Sequence, residues 1–317
     1  MKNIHFIINP QAKNGYSQKV WKDIEEELQL GKHPYLAYFT KQRGHATQIA
    51  REIAAKVAEE RIVIAVIGGD GTLHEVVNGV IGYKNVALGF IPAGSGNDFG
   101  RGFQFPKKPL LAYRTMTERL NLDPVFVDIG KIVDSHSKQT CFVNNMGAGF
   151  DALITKEANN SHLKKILNRF SLGGLIYAYL VIKKLFTYKR TDVLITIDEK
   201  SYHYKDTWFV TVSNQQYYGG GMKIAPEASV IDGNLDVTVV HRLSRLKFLL
   251  VFVSVFWGGH VKFKEVDTFQ GKYITLESNE PLYVHADGEN IGETPVKVRA
   301  DYRVLPLLSK GIDYEST

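Results

Sequence analysis

Val66-Ile67-Gly68-Gly69-Asp70-Gly71-Thr72-Leu73-His74-Glu75 is the stretch that connects a strand pattern to a helix pattern. The apolar run of residues 62–67 is typical of a buried parallel strand. Apolar residues then recur at helical spacing from Leu73 onward. A glycine-rich turn at a helix N-terminus brings backbone N–H groups close to an anion, so the stretch favours phosphate binding. Asp70 within such a turn indicates a carboxylate that faces magnesium.

The next predicted strand, residues 86–91, also ends in a glycine-rich turn, Pro92-Ala93-Gly94-Ser95-Gly96-Asn97-Asp98-Phe99. Taken alone, the first turn could merely reverse the chain. Two consecutive turns of this kind, each with an aspartate, would converge at the carboxyl edge of one sheet, where ligands bind in open α/β folds. The pair therefore predicts one shared phosphate site.

Two earlier strands, residues 4–8 and 35–39, complete the pattern, and each is followed by a helix. Strands that alternate with helices predict an α/β, doubly wound parallel sheet that binds a nucleotide. Asn9 and Thr40 follow these two strands and should lie at the same edge as Asp70 and Ser95. Their short polar side chains suit a nucleotide, although a simple helix cap is the alternative for each.

From residue 125 onward the strands alternate between apolar and polar residues, which predicts an antiparallel β-sandwich as a second domain. The predicted strands include residues 140–145, 207–213, 235–240 and 282–286. A cationic helical segment over residues 163–186 interrupts them. It could face a membrane or pack on the sandwich with solvated lysines.

We therefore expect two domains. Residues 1–124 would bind the nucleotide, residues 125–303 would form the lipid-substrate sandwich, and residues 304–317 would return to the first domain.

The chain has 317 residues, a formal net charge of +6 and one cysteine, Cys141. A single cysteine excludes an intrachain disulfide and favours a reducing compartment. We expect Cys141 to be a small buried apolar residue and not a nucleophile. No secretory signal and no apolar run that could span a membrane is visible, so we expect a cytoplasmic protein that at most lies peripherally on a membrane. The charge suits an anionic lipid surface, a nucleotide or a nucleic acid. No motif that reads bases supports binding to a nucleic acid.

A series of motifs resembles, in order, the catalytic region of diacylglycerol kinase-like lipid kinases, and the soluble bacterial branch most of all. The motifs are Asn9-Pro10 with Gly15, Thr40 with Gly44-His45-Ala46, Gly68-Gly69-Asp70-Gly71-Thr72, residues 92–101, residues 145–152, residues 218–222 with Pro226, residues 232–236, and Asp287-Gly288-Glu289. The family usually has threonine where this chain has Ser95, which keeps the hydroxyl.

The resemblance implies that the first domain binds ATP and that the lipid head lies between the domains. The implied nucleotide contacts are Asn9, Pro10, Gln11, Ala12, Lys13, Thr40, Gly69, Asp70, Gly71, Thr72, Leu73, His74, Glu75 and Ser95.

The resemblance also implies the catalytic groups. Asp70 and Asp98 would hold Mg²⁺, and the general base would be Asp287 or, next, Glu289. A plain hairpin turn is the alternative for Asp287-Gly288.

A structural magnesium is implied at Ser229, Asp232 and Asn234. These oxygen ligands include few carboxylates and suit a magnesium ion that keeps its waters. The alternative is that Asp232-Gly233-Asn234 forms a hairpin turn and nothing more.

The predicted function is that of an ATP-dependent lipid kinase acting at the membrane surface on diacylglycerol or a related lipid alcohol. An NAD kinase-like phosphotransferase and a non-catalytic nucleotide or lipid sensor are the alternatives. The sequence does not specify the lipid acceptor or the oligomeric state, and the sandwich strands could pair across the axis of a homodimer.

Overall fold

The computed structural model describes residues 3–56, 61–134, 139–160 and 173–312. The chain forms two compact units. Unit 1 comprises Met1–Ile129, Val230–Asp232 and Tyr302–Thr317, and unit 2 comprises Gly130–Ser229 and Gly233–Asp301. The chain passes from one unit to the other within strands β5 (Val125–Val133) and β17 (Val296–Leu307), and also on either side of residues 230–232.

Unit 1 is built on a parallel sheet with the strand order β2-β1-β3-β4-β17. The strands are β1 (Ile4–Ile8), β2 (Tyr35–Phe39), β3 (Ile62–Gly68), β4 (Val86–Pro92) and the end of β17. Every residue of β3 and β4 is buried, which explains their continuous apolar sequences. The predicted doubly wound parallel α/β fold is confirmed.

The helices of unit 1 follow the strands. They are α1 (Tyr16–Gly31), α2 (His45–Lys56), α3 (Asp70–Val80), α4 (Asp98–Gly102) and α5 (Pro109–Glu118). Helix α1 buries Val20, Ile24 and Leu28 at the helical spacing that its sequence predicts. Helix α3 begins at Asp70, three residues before its first apolar position, so the acidic residue lies in the first turn, where the helix dipole favours negative charge.

Unit 2 is an antiparallel, sandwich-like β structure, as predicted. Its main path is β16-β15-β7-β9-β8-β14-β17, with β12 paired to β9 and β13, and β5 paired to β6. The strands not yet bounded are β6 (Gln139–Phe142), β7 (Asn145–Gly149), β8 (Thr191–Ile197), β9 (Lys200–Ser213), β10 (Tyr217–Tyr218), β11 (Met222–Lys223), β12 (Leu235–His241), β13 (Val266–Gly271), β14 (Tyr273–Ser278), β15 (Tyr283–Ala286) and β16 (Glu289–Glu293).

Helices cover one part of this structure. They are α6 (Phe150–Asn160), α7 (Gly173–Leu185), α8 (Arg245–Ser254) and two short 3₁₀ helices, Val255–Trp257 and Gly259–Lys262. Residues 163–172 of the predicted helical segment lie outside the described residues, and α7 covers most of the remainder. Helices α6, α7 and α8 share one buried cluster with the core of unit 2, centred on Trp208 and Phe248.

One strand prediction is wrong. The sequence predicts a single strand over residues 140–145, but the chain bends at Val143 and Asn144, between β6 and β7. The reason is a long-range interaction: the backbone N–H groups of both residues point to the carboxylate of Asp287 instead of a neighbouring strand. A local apolar pattern contains no sign of that partner.

Candidate active site

Asn9 and Thr72 lie where the strand order of unit 1 reverses. The chain runs from β1 outward to β2 and then back across β1 to β3, so the crevice between β1 and β3 is a topological switch point. The Asn9 side-chain amide Nδ2 donates to Thr72 Oγ1 at 3.0 Å. Asn9 Oδ1 accepts the Gln11 N–H at 3.1 Å, which fixes the first loop. The structure thus brings together two of the predicted nucleotide contacts.

The two glycine-rich turns also converge. A Cβ atom added to Gly94 would lie 2.3 Å from Gly69 Cα, so the two backbones are in close contact and a side chain has no room at Gly94. Asp70 Oδ1 accepts the Phe99 N–H at 2.9 Å, which ties the start of α3 to the start of α4. Both turns therefore form one rigid loop pair at the carboxyl edge of the sheet.

Ser95 and Asp98 differ in exposure. Ser95 is exposed, on a loop that is held by two hydrogen bonds of 3.0 Å between Gly94 and Asn97. Asp98 is buried and forms an ion pair with Arg101, one turn later in α4. Ser95 is thus placed to meet a ligand, whereas the Asp98 carboxylate already has a cationic neighbour.

Three residues in the first half of α3 have separate environments. The Leu73 side chain is fully buried in the core and can offer a ligand only its backbone. His74 is also buried, and its ring nitrogen Nε2 lies 3.5 Å from the Asn78 amide. Glu75 accepts the N–H groups of Gly44 at 2.8 Å and Ala46 at 3.1 Å, one with each carboxylate oxygen. Glu75 therefore anchors the start of α2.

Two further predicted contacts, Thr40 and Lys13, lie in the segments that follow β2 and β1. The Thr40 N–H donates to Ile8 O at 2.9 Å and extends the ladder between β1 and β2. Lys13 is exposed, and its ammonium nitrogen lies 5.0 Å from the centre of the Tyr16 ring, within cation–π distance. The ammonium group of Lys13 is available at the surface to an anion.

In unit 2, Asp287 and Gly288 form a two-residue hairpin turn between β15 and β16, in which Ala286 pairs with Glu289. Their φ angles of 47° and 83° are both positive, as a turn of this size requires. The hairpin that the sequence offered as the alternative to a catalytic role is therefore present. A turn of this kind does not by itself exclude a catalytic role for Asp287.

The Asp287 carboxylate is held by three backbone donors. Oδ1 accepts the N–H groups of Asn144 at 2.9 Å and Asn145 at 3.2 Å, and Oδ2 accepts that of Val143 at 3.0 Å. The side chains of Asn214 and Gln215 in turn bind Val143 O and Asn144 Oδ1, each at 2.9 Å. Hydrogen bonds to a charged acceptor are among the stronger ones in proteins, so this cradle fixes the carboxylate orientation.

The buried His285 and the half-buried Asp151 form a pair that no sequence pattern predicts. His285 Nε2 lies 3.3 Å from Asp151 Oδ2, and His285 Nδ1 accepts the Gly288 N–H at 3.3 Å. A Cβ atom on Gly147 would lie 2.0 Å from Asp151 Oδ2, so this glycine makes room for the pair. Through the bond to the Gly288 N–H, the pair stabilises the turn that contains Asp287. The available signal was weak: Asp151 stands in a matched motif, but only the fold brings His285 to it.

Asp128 is a second buried carboxylate that the sequence did not single out. It is fully buried, and its Oδ1 accepts the Arg303 N–H at 2.7 Å. Its own N–H donates to Val230 O at 2.7 Å. These bonds explain why residues 230–232 belong to unit 1, since Asp128 joins three distant segments of the chain.

Ser229, Asp232 and Asn234 are half-buried and lie in a stretch without helix or strand between β11 and β12. This stretch is not a simple hairpin turn, because β12 pairs with β9 and β13 and not with the strand before it. Hydroxyl, carboxylate and amide oxygens fit a magnesium ion that retains water ligands. Among the described residues, no group of three or more His, Cys, Asp or Glu side chains forms a metal cluster.

Comparisons with known proteins agree with this architecture. The family model described as "Diacylglycerol kinase catalytic domain" matches residues 3–131, and that described as "YegS C-terminal NAD kinase beta sandwich-like domain" matches residues 144–309. The Bacillus subtilis protein "Putative lipid kinase YtlR" is 34% identical over 303 residues, which cover 94% of this chain and 96% of that protein. The Mycobacterium tuberculosis protein "Diacylglycerol kinase" is 30% identical over 266 residues, 84% of this chain and 82% of that protein.

A solved structure is similar over almost the whole length. It is described as "Crystal structure of a putative diacylglycerol kinase from Bacillus anthracis str. Sterne", with a TM-score of 0.73, 26% identity, and coverage of 98% of this chain and 97% of that one. The protein is thus a kinase, a phosphotransferase that acts on lipid. It belongs to the diacylglycerol kinase-like lipid kinase family, as the sequence motifs indicate. Kinases of such a family take their phosphoryl group from a nucleotide in general.

Within the described part of the chain, no helix combines the length and the apolar character needed to cross a bilayer.

Proposed function

We propose that the protein transfers the γ-phosphoryl group of ATP to the hydroxyl of diacylglycerol or a related lipid alcohol, giving phosphatidic acid or its analogue. The acceptor oxygen attacks the γ-phosphorus, the bond to the β–γ bridging oxygen breaks, and ADP leaves. The hydroxyl proton passes to a carboxylate. Such transfer depends on alignment and on neutralisation of phosphate charge more than on covalent chemistry.

The observation that carries the nucleotide part of the proposal is the contact between Gly69 and Gly94. With no side chains in the way, the backbone around the N-terminus of α3 is open to phosphate oxygens. Asn9, Thr40, Lys13 and the exposed Ser95 would complete the ATP site along the same sheet edge. This arrangement supports residues 1–124 as the ATP-binding domain.

Asp70 and Asp98 would bind Mg²⁺ through water, because carboxylates beside phosphates are typical partners of hydrated magnesium. When bound, the ion would neutralise negative charge on the phosphates. A second, structural magnesium would bind at Ser229, Asp232 and Asn234, whose oxygen atoms are of the type that this ion prefers.

The proton acceptor is proposed to be Asp287, with Glu289 as the next candidate. The three amide donors around Asp287 support this role by holding its carboxylate in one orientation at the tip of a hairpin. Residues 125–303 would then supply the lipid side of the reaction.

The test is phosphate transfer from labelled ATP to a panel of lipid alcohols in mixed micelles with Mg²⁺, with NAD as a soluble acceptor in a parallel reaction. We expect label in phosphatidic acid, and a loss of about a hundredfold or more for Asp70→Asn and for Asp287→Asn. Label in NAD alone would show an NAD kinase-like enzyme. ATP binding without any transfer would show a sensor.

A further inference from the structure

Helix α8 and the 3₁₀ turn after it carry an exposed apolar ridge, defined as Leu246, Leu250, Val253, Phe256 and Trp257. These five side chains are 54–72% exposed. Leu246, Leu250, Val253 and Trp257 recur at intervals of four, three and four residues, which places them along one side of the helix. The ridge is therefore a continuous apolar stripe that faces solvent.

The opposite side of the same helix is also apolar. Phe248, Val251 and Val255 are buried in the cluster that contains Trp208. A helix that is hydrophobic all round is normally buried in a core or placed in a membrane. In α8 one side packs in the core and the other side is exposed. An exposed apolar side of this kind indicates a contact with a second apolar environment.

A shorter stripe adjoins the ridge. It consists of Tyr179 and Ile182 in α7 and of Phe186, the first residue after α7. These residues are 53–59% exposed. The side chain of Arg245 donates through Nε to Leu185 O at 3.1 Å, which places the end of α7 beside the start of α8. The end of the shorter stripe therefore lies near the start of the ridge.

The charges around this surface have one sign. Residues 173–191 and 237–264 contain no Asp or Glu. They contain nine basic residues: Lys183, Lys184, Lys189, Arg190, Arg242, Arg245, Lys247, Lys262 and Lys264. Three of them form ion pairs with acidic residues outside these segments: Lys184 with Glu157 at 2.9 Å, Lys247 with Glu265 at 2.7 Å and Arg190 with Asp206 at 3.9 Å. Exposed lysines and arginines remain at both ends of the surface.

A cavity of about 410 Å³ opens at the end of the ridge. It is lined by Ser254, Trp257, Gly258, Gly259, Lys262 and Phe263, and Lys262 is its charged member. An indole ring beside an ammonium group is the combination that favours the headgroup level of a bilayer, where the ring is half in lipid and the cation meets phosphate.

From these observations we propose that the α8 ridge inserts into the interfacial region of a bilayer that contains anionic phospholipids, with the basic residues contacting the headgroups. A second copy of the chain fits less well as the occupant, because it would bring a second set of the same positive charges to the contact. The inference rests on the proposed function, since a water-insoluble acceptor must be reached at a surface. Binding can nevertheless be measured without catalysis.

The protein contains its own probe. Of its three tryptophans, Trp21 and Trp208 are buried, and Trp257 is 66% exposed. A change in emission on membrane binding therefore reports Trp257. We expect a blue shift and protection from acrylamide when vesicles of phosphatidylcholine with about 30% phosphatidylglycerol are added, a weaker response with pure phosphatidylcholine, and a weaker response in high salt. Emission that stays unchanged while the protein floats with vesicles would overturn the proposal.

Variants separate docking from catalysis. In vesicle flotation without ATP, Leu250→Gln with Trp257→Gln should weaken binding by at least about tenfold, and Lys262→Glu should also weaken it. Leu111→Gln, at another exposed leucine in α5, is the matched control and should bind like the wild type. Unchanged binding of the double variant would refute the proposal. A dimer that the double variant converts to monomer would also refute it, because the ridge would then be a contact between copies.

Activity on two kinds of lipid acceptor, one in vesicles and one dissolved in water, distinguishes a failure of membrane docking from a failure of the proposed kinase function. The double variant should lose activity on long-chain diacylglycerol in vesicles but keep wild-type activity on a short-chain diacylglycerol that is monomeric in water. Equal loss on both acceptors would contradict a docking role for the ridge. A wild-type protein that binds vesicles but phosphorylates neither acceptor would refute the kinase proposal and leave docking supported.

Discussion

The carboxylate of Asp287 accepts a hydrogen bond of 2.9 Å from the backbone N–H of Asn144, 143 residues earlier in the chain. Two further N–H groups complete this cradle. In Asp287→Asn, the new amide NH₂ would face at least one of these donors, leaving buried groups unpaired. We expect a decrease in the free energy of unfolding of about 1–3 kcal/mol, measured by urea denaturation, together with the loss of transfer.

Glu289→Gln provides the comparison for that variant. If Asp287 is the proton acceptor, Asp287→Asn should lower kcat far more than Glu289→Gln, and the effect should persist at temperatures where both variants are fully folded. A larger fall in kcat for Glu289→Gln would instead assign proton transfer to Glu289 and leave Asp287 a positioning role.

The contact of Gly94 with Gly69 predicts that Gly94→Ala disrupts the loop pair. The added methyl group would approach Gly69 Cα to 2.3 Å, so one backbone must move. We expect a loss of about 1–3 kcal/mol in stability and weak ATP binding, measured by urea denaturation and calorimetry. Ser95→Ala is the control, since Ser95 is exposed: it should raise the KM for ATP with little change in stability. Normal ATP affinity in Gly94→Ala would contradict the proposed phosphate site.

Glu75 is predicted to stabilise the protein by binding the backbone N–H groups at the start of α2. In Glu75→Gln, one amide oxygen remains to accept an N–H, and the amide nitrogen would face the other donor at the helix start. The expected cost is about 1–3 kcal/mol, measured by urea unfolding. The control is Glu52→Gln, an exposed position in α2, which should change stability by less than about 0.5 kcal/mol. Unchanged stability in Glu75→Gln with a raised KM for ATP would show a direct nucleotide contact instead.

His260 predicts a pH dependence of stability. Its Nε2 bonds to Ile224 O at 2.9 Å, and burial lowers the pKa of the imidazole below its ordinary value of 6.5. The unfolded chain therefore takes up a proton as the pH falls through 6.5, whereas the folded chain does not. Stability should decrease as the pH falls below 6.5 and level off below the folded pKa.

His260→Gln can keep the donor to Ile224 O without the titration. Compared with the wild type, its melting temperature should fall less between pH 7 and pH 5. Parallel curves for the two proteins would refute the contribution of His260, because the other histidines are common to both.

The sequence by itself determined the parallel sheet, the sandwich-like second unit and the two glycine-rich turns. These features are local: a buried strand needs a short apolar run, and a tight backbone contact needs glycine at a given position. The burial of Cys141 follows in the same way, since it lies in an apolar run, and burial raises the pKa of its thiol to about 11. Family membership could also be inferred from motifs in their order.

Only the tertiary structure decided which distant groups meet. The bend at Val143, the pairing of His285 with Asp151 and the burial of Asp128 depend on contacts across more than 100 residues, and no period in the sequence encodes their partners. The α8 ridge is the reverse case. Its apolar residues can be read from the sequence, but they occur on both sides of the helix, and periodicity cannot show which side faces a core. Only the packing of Phe248 against Trp208 leaves Leu250 and Trp257 exposed.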